Sequence, residues 1–124
     1  MAKIQSHRDL LVWQKGMDLV VAVYAVSKQF PEEERYGLIQ QATRAAVAVP
    51  ANIADGHASG TRRDYAHFVS IARGSLMEVE TYVMIVERLR LADAGSVGEV
   101  LDRITELSRM LTALRQRLME HPRA

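Results

Sequence analysis

The chain has 124 residues, 48% of them hydrophobic and 25% charged, with a formal net charge of +1. This balance is typical of a globular protein and excludes a disordered chain, and the length fits a single domain over residues 1–124. The near-neutral charge provides no whole-chain electrostatic attraction for nucleic acid. The absence of cysteine excludes disulfide bonds, thiol catalysis and thiolate metal sites.

Neither a signal peptide nor a membrane span is expected. No apolar segment of signal-peptide length follows Lys3, and Lys15 and Asp18 interrupt the apolar residues of the next stretch. No run reaches the roughly 18 uncharged apolar residues that a membrane span requires. We therefore expect a cytoplasmic protein without a membrane partner.

The first predicted helix covers about residues 9–29, with Ser6 or Asp9 as its N-cap. Its apolar residues form two stripes, whereas a helix that packs on one side needs only one. We therefore expect burial on two sides, either centrally in the fold or at a subunit contact. Gly16 in mid-helix costs about 1 kcal/mol relative to alanine, which predicts the close approach of a neighbouring backbone. The stripes are Leu10, Trp13, Met17, Val20, Val21 and Tyr24, and Val12, Leu19, Val23, Val26 and Phe30.

A break separates the first helix from the second. Phe30-Pro31 ends the first helix, because proline disfavours the α conformation in the residue before it. Pro31 and the three glutamates after it predict a short helical turn, since proline and carboxylates both suit a helix N-terminus. Tyr36-Gly37 then predicts a second break, directly before the next long helix.

The second predicted helix covers about residues 38–55, and the alanines in its apolar stripe allow another helix to approach closely. Pro50 lies inside it, where its ring crowds the carbonyl of Ala46 at a cost of about 3 kcal/mol in a regular helix. We expect a kink at Pro50, with two separate short helices as the alternative. Gly56 and Gly60 predict the helix stop and the following turn.

The third predicted helix runs over about residues 61–91, with Thr61 and Asp64 as a capping pair. It too carries apolar residues on two faces, so only a narrow strip of it should meet water. One face is the seam Tyr65, Phe68, Val69, Ala72, Leu76, Val79, Val83 and Val86, and the other is Ile71, Gly74, Tyr82, Ile85 and Leu89.

The fourth predicted helix follows a short loop over residues 92–95. It begins at Ser96, where Glu99 completes a capping box. A single apolar stripe continues to Leu118, and Pro122 ends the helix.

Four helices with short connections predict an all-α fold, an antiparallel up-down-up-down four-helix bundle with a proline-kinked second helix. No alternating strand pattern competes with this interpretation. Because a four-helix monomer has only one core to fill, the two-sided first and third helices predict a homo-oligomer.

The pattern of acidic residues and histidines does not predict a metal site or a cofactor. Di-metal bundles use Glu-x-x-His on two helices, and Glu78 and Glu80 have no histidine at that spacing. The histidines are scattered among loops, helix starts and the tail, as surface residues usually are; they are His7, His57, His67 and His121.

Seven polar residues interrupt otherwise apolar helices. They could form a half-buried ion-pair network that fixes helix register, or they could line a ligand or phosphate site. Balanced numbers of acids and bases favour the network. The residues are Arg44, Asn52, Asp55, Arg73, Ser75, Glu78 and Glu80.

Arg62 and Arg63 form the best candidate anion site, because free amides and the helix dipole add to their charge at the start of the third helix. With Arg73 they are the candidate phosphate contacts for nucleic acid. Ordinary solvation of exposed arginines is the alternative.

The spacing of Arg62 and His67 suggests a third possibility. It resembles the Arg-x4-6-His pattern of the HEPN ribonucleases, in which an arginine would hold phosphate and a histidine would transfer a proton. The pattern is short and occurs often by chance.

Four blocks of sequence in order resemble the four-helix-bundle family named for the protein encoded within intervening sequences of bacterial 23S ribosomal RNA genes. The resemblance spans about residues 8–118. This chain has Asp55 and His57 where the family more often has glutamate and an aromatic residue, and its segment 60–63 is less rich in lysine. The blocks are residues 9–15 (DLLVWQK), 30–38 (FPEEERYGL), 44–56 (RAAVAVPANIADG) and 71–80 (IARGSLMEVE).

The resemblance implies a homopentamer of four-helix bundles around a central channel, and no enzymatic activity is established for the family. It also implies kinship with the accessory variability proteins of diversity-generating retroelements, which bind nucleic acid and a reverse transcriptase. We therefore expect a non-enzymatic oligomeric module that binds RNA or DNA or scaffolds a protein partner. A purely structural or protein-interaction oligomer is the alternative, and a ribonuclease using Arg62 and His67 is a further one.

Overall fold

The computed structural model describes residues 3–120. Within this range the chain forms four α helices and no strand. Each of α1 and α3 packs against both α2 and α4, so α1 and α3 lie diagonally across the bundle. The prediction of an all-α four-helix bundle is confirmed. The helices are α1 (Leu11–Ser27), α2 (Gln40–Ala58), α3 (Arg62–Leu89) and α4 (Ala94–Met119).

The core is aliphatic, because the four helices each contribute one stripe of branched side chains and alanines to the bundle axis. In α1 the buried stripe is the one that contains Leu19 and Val23, and in α3 it is the one that contains Leu76 and Val79. The other apolar face of each of these two helices lies only partly against the core and also carries exposed side chains. The largest fully buried side chains are Leu19, Ile53, Leu76, Ile104, Leu107 and Leu111.

The chain reaches α1 through a short 3-10 turn, which the sequence did not predict. Ser6 and Asp9 close a capping box around this turn instead of capping α1 itself. The Asp9 carboxylate accepts from the backbone amides of Gln5 (2.9 Å) and Ser6 (3.2 Å). These hydrogen bonds favour the charged form, so the pKa of Asp9 is lowered. Leu10 is extended, which delays the start of α1 to Leu11.

The break before α2 is centred on Gly37, as the sequence predicts. A 3-10 turn over Glu32–Glu34 is followed by a π-helical turn over Arg35–Ile39. Gly37 inside that turn departs from helical geometry, with φ −105° and ψ −105°. The regular hydrogen bonding of α2 therefore begins only at Gln40.

α2 continues through Pro50 as one helix, so the alternative of two short helices is wrong, and the kink stays a prediction. Pro50 is buried against Gly16 of α1, and a Cβ atom added at Gly16 would lie 3.3 Å from the Pro50 Cβ. The predicted close approach at Gly16 is therefore confirmed. Gly16 and Pro50, the residues least suited to the interiors of α1 and α2, are therefore packed against each other.

The sequence predicted that Gly56 ends α2. This prediction is wrong, because Gly56 lies buried within the last turns of the helix. A Cβ atom at Gly56 would come within 2.9 Å of both the Phe68 Cβ and the Tyr65 Cδ1 atoms on α3. Glycine is therefore needed here for the close packing of α2 on α3. The turn itself is made by Gly60, which has φ +93°, and Thr61 caps α3 by accepting from the amide of residue 64 at 3.1 Å.

α4 begins at Ala94, two residues before the predicted start at Ser96, and the Ser96–Glu99 capping box is wrong. Asp93 is the N-cap, and its carboxylate accepts from the amide (3.0 Å) and the hydroxyl (3.1 Å) of Ser96. Gln29, just past α1, holds the same turn by accepting from the Asp93 amide at 2.7 Å. Pro122, the predicted stop, and His121 lie outside the described residues.

Candidate functional site

Arg62, the first residue of α3, contacts the far end of α4. Its Nε atom donates to the carbonyl of Leu118 (3.4 Å), and its Nη2 atom donates to the carbonyl of Arg117. These carbonyls lie in the last turn of α4, where helical amides run out, and the Arg117 carbonyl otherwise accepts only a long hydrogen bond from the amide of Glu120 (3.4 Å) among the described residues. A cation at this position also interacts favourably with the helix dipole. Arg62 therefore caps α4, a role that sequence reasoning missed because the partner lies 55 residues away.

The three candidate phosphate-binding arginines do not converge. Arg63 is exposed and forms no hydrogen bond or ion pair with any residue in the range 3–120. Arg73 lies about 16 Å further along the α3 axis than Arg62. It is half-buried beside Gly74 and Ser108, at a shallow cavity of about 270 Å³. Of these arginines, only Arg62 has a defined partner.

The seven polar residues do not form the expected network inside one chain. Across residues 3–120, neither Arg44 nor Arg73 makes an ion pair with an acidic member of the set. Asn52 donates to the carbonyl of Ala48 in its own helix (2.8 Å). Three members are exposed (Arg44, Asp55, Glu78) and four are half-buried (Asn52, Arg73, Ser75, Glu80).

Arg62 and His67 are not joined into a site. Five residues of helix separate them by about 140° around the helix axis. Arg62 faces the end of α4, while His67 is exposed and meets the edge of the Phe68 ring at 5.9 Å. In the described part of the chain, no three acidic or histidine side chains come close enough to hold a metal ion.

Two exposed apolar surfaces are the most prominent features outside the core. The outer strip of α1 consists of Met17, Val21 and Tyr24, and Val21 is 69% exposed. Since α1 and α3 are diagonal partners, this strip lies on the opposite side of the bundle from the outer strip of α3. Burial of α1 and α3 on two sides is therefore not achieved within one chain. The outer strip of α3 consists of Ile71, Met77, Met84, Ile85 and Leu89.

A cavity of about 330 Å³ opens at the end of the bundle where α1 and α3 begin and α4 ends. Two of its lining side chains are polar, Tyr65 and Arg117. Burial raises the pKa of the Tyr65 hydroxyl, although the nearby Arg117 opposes this shift. Tyr65 therefore stays protonated at neutral pH and can donate a hydrogen bond. The other lining residues are Leu10, Leu11, Val12, Met110, Ala113 and Leu114.

None of the helices in the described range combines the length and apolar character needed to cross a membrane. No curated protein matches the chain significantly. Among solved structures, the chain is similar to a protein of unknown function from the S23 ribosomal protein family of Bacteroides thetaiotaomicron, with 19% identity and a TM-score of 0.79 over 86% of this chain and 99% of that one. At this identity the similarity shows the fold alone.

The family suggested by the four sequence blocks is confirmed by a direct match. The family model described as 23S rRNA-intervening sequence protein matches residues 8–113, which is most of the chain. All four blocks lie inside the matched range. The chain therefore belongs to the 23S rRNA-intervening sequence protein family.

Proposed function

We propose that this protein is a non-enzymatic, cytoplasmic homo-oligomer that acts as an interaction module. The observation that supports this proposal best is the pair of outer strips on α1 and α3. Monomeric proteins rarely expose large contiguous apolar patches, and those that do occur often mark interaction sites. Tyrosine and methionine, both present in these strips, are enriched in the cores of protein interfaces.

The placement of the strips favours head-to-tail assembly. A two-fold dimer uses the same patch on both subunits, whereas strips on opposite sides of one bundle suit a contact between the α1 strip of one copy and the α3 strip of the next. Repeated contacts of this heterologous kind form a ring when the rotation closes. The family resemblance implies five copies, and we propose a pentamer.

The experiment uses one charged variant in each strip, Val21→Glu and Ile85→Glu, with solution mass measured by light scattering. Each variant alone should be a monomer, because each lacks one half of a heterologous contact. An equimolar mixture should give a dimer and nothing larger, since the Ile85→Glu copy still offers its α1 strip and the Val21→Glu copy its α3 strip.

Gln41→Glu is the matched control, since it adds the same charge at an exposed position of α2 and should keep the wild-type mass. A monomeric wild type, or two strip variants that both keep the wild-type mass, would contradict the proposal. Dimers of either variant on its own would indicate two-fold contacts and contradict the head-to-tail arrangement.

RNA or DNA is a second proposed partner, supported by the exposed guanidinium of Arg63, which has no hydrogen-bond or ion-pair partner within residues 3–120. An oligomer would repeat Arg63 and Arg73 in every copy, which compensates for the small net charge of a single chain. Each phosphate contact makes the plot of log affinity against log salt steeper by about one unit.

The measurement is the affinity for labelled RNA at low and moderate salt, for wild type, Arg63→Ala and Arg73→Ala. We expect weaker binding and a shallower salt dependence in the variants, while the control Lys28→Ala, an exposed cation at the end of α1, should bind as wild type does. Identical binding by all four proteins would exclude these arginines as phosphate contacts. An oligomer with no measurable binding would be a purely structural or protein-interaction assembly.

A further inference from the structure

We propose that the cavity at the end of the bundle binds the carboxylate of a small amphiphilic acid, with the acyl chain inside the cavity and the carboxylate against Arg117 and Tyr65. This inference does not depend on oligomerisation or on nucleic-acid binding.

The lining of the cavity has the composition of a small-molecule site. Its volume of about 330 Å³ falls at the lower end of the range for ligand pockets, and six of its eight lining residues are apolar. No acidic side chain from residues 3–120 lines it. Apolar walls with a few polar groups at one position are the arrangement that orients an amphiphilic ligand.

The two polar groups are both donors without a side-chain partner. Neither the Arg117 guanidinium nor the Tyr65 hydroxyl makes a side-chain hydrogen bond or an ion pair with any residue from 3 to 120. Arginine binds carboxylates in a bidentate manner, and a tyrosine hydroxyl can add a third hydrogen bond. Charge complementarity therefore selects an anion over a neutral or cationic amphiphile.

The backbone that carries these groups is held in place. Arg62 donates to the carbonyl of Arg117 and so fixes the last turn of α4 relative to α3. Tyr65 lies on α3, one turn after Arg62, and its ring meets His57 edge-on at 5.9 Å. The same contacts that close the bundle thus hold the backbone positions of the two donor residues relative to each other.

The test is calorimetric titration of the purified protein with hexanoate, octanoate and decanoate, beside octanamide and octylammonium. Each methylene group that enters the cavity should tighten binding by about fourfold. Octanoate should bind at least about fivefold more tightly than octanamide, because charge-assisted hydrogen bonds are roughly twice as strong as neutral ones. Methyl NMR signals of Leu10 and Leu114 should shift on binding.

Three variants locate the site, with thermal melts to confirm folding. Arg117→Gln should remove the preference for octanoate over octanamide, and Arg117→Lys should restore part of it. Ala113→Phe fills the cavity from an exposed position of α4 and should abolish binding. Arg109→Gln, an exposed arginine of α4 outside the cavity, is the charge control and should bind as wild type does.

Absence of saturable binding by any of the three acids would overturn the inference. So would octylammonium binding as tightly as octanoate, or an Arg117→Gln protein that keeps the full preference for the acid.

Discussion

The inner face of α2 and the outer strips of α1 and α3 are both apolar, but they differ in side-chain size. Four of the seven buried residues of α2 are alanine or glycine, namely Ala42, Ala45, Ala46 and Gly56, and this face is buried within the chain. The outer strips carry large side chains such as Tyr24 and Leu89, and they are exposed. Small size follows from how closely two helices of the same chain must approach. Packing within a single copy does not explain why the outer strips carry large exposed side chains.

The largest expected effect comes from removing a side chain on the inner face of α3 and the smallest from removing one on its outer strip. Leu76→Ala should lower the free energy of unfolding by about 2–5 kcal/mol, because it leaves a cavity in a fully buried site. In a Val21→Glu background, which we expect to be monomeric, Ile85→Ala should change the free energy of unfolding by less than about 0.5 kcal/mol. Urea denaturation measures both. Equal losses would mean that the outer strip is packed within one chain.

Gly56 and Gly74 provide a second contrast, because an alanine is expected to lower the stability at one position and to raise it at the other. Gly56→Ala should destabilise the protein by about 1–3 kcal/mol, because its Cβ would lie only 2.9 Å from atoms of Phe68 and Tyr65. Gly74→Ala, where no atom lies within 4 Å, should stabilise a monomer by up to about 1 kcal/mol through helix propensity. Denaturation of the monomeric background tests both substitutions. A stable Gly56→Ala protein would mean that α2 and α3 can separate at little cost.

A further expected effect concerns the cap on α4. Arg62→Ala should cost about 1 kcal/mol, since two exposed carbonyls lose a charged donor and can turn to water. Amide exchange should accelerate in the last turn of α4, while the matched variant Arg63→Ala should leave it unchanged. If exchange accelerates in the Arg63→Ala protein, or does not accelerate in the Arg62→Ala protein, the cap is not what orders this turn.

The sequence was sufficient for the fold, because four amphipathic patterns with clear breaks allow few arrangements. It also predicted the close contact at Gly16, since a glycine in mid-helix has a cost that packing must explain. Features that depend on a choice between neighbouring polar residues were harder to predict from the sequence. Asp93 and Ser96 can each cap a helix, and in the structure Asp93 is the cap, with Gln29 accepting from the Asp93 amide and donating to the Ser96 hydroxyl.

The partner residues in long-range contacts could not be predicted from the sequence. The role of Arg62 depends on where α4 ends, and Gly56 serves as a packing residue only because Tyr65 and Phe68 of α3 lie opposite to it. The cavity lined by Tyr65 and Arg117 brings together three helices whose residues show no common pattern in the sequence. Such features arise from the packed arrangement and leave no local signal.

α4 is held at both ends by side chains from elsewhere in the chain, by Gln29 of the connection after α1 at its start and by Arg62 of α3 at its end. Between them, Ser70 accepts from Arg115 at 2.7 Å. A single inserted residue would rotate the rest of α4 by about 100° and advance it by 1.5 Å, so these contacts could not all be kept. The length of this helix is therefore fixed by the bundle, and natural insertions and deletions should fall in the connections at residues 28–39, 59–61 and 90–93.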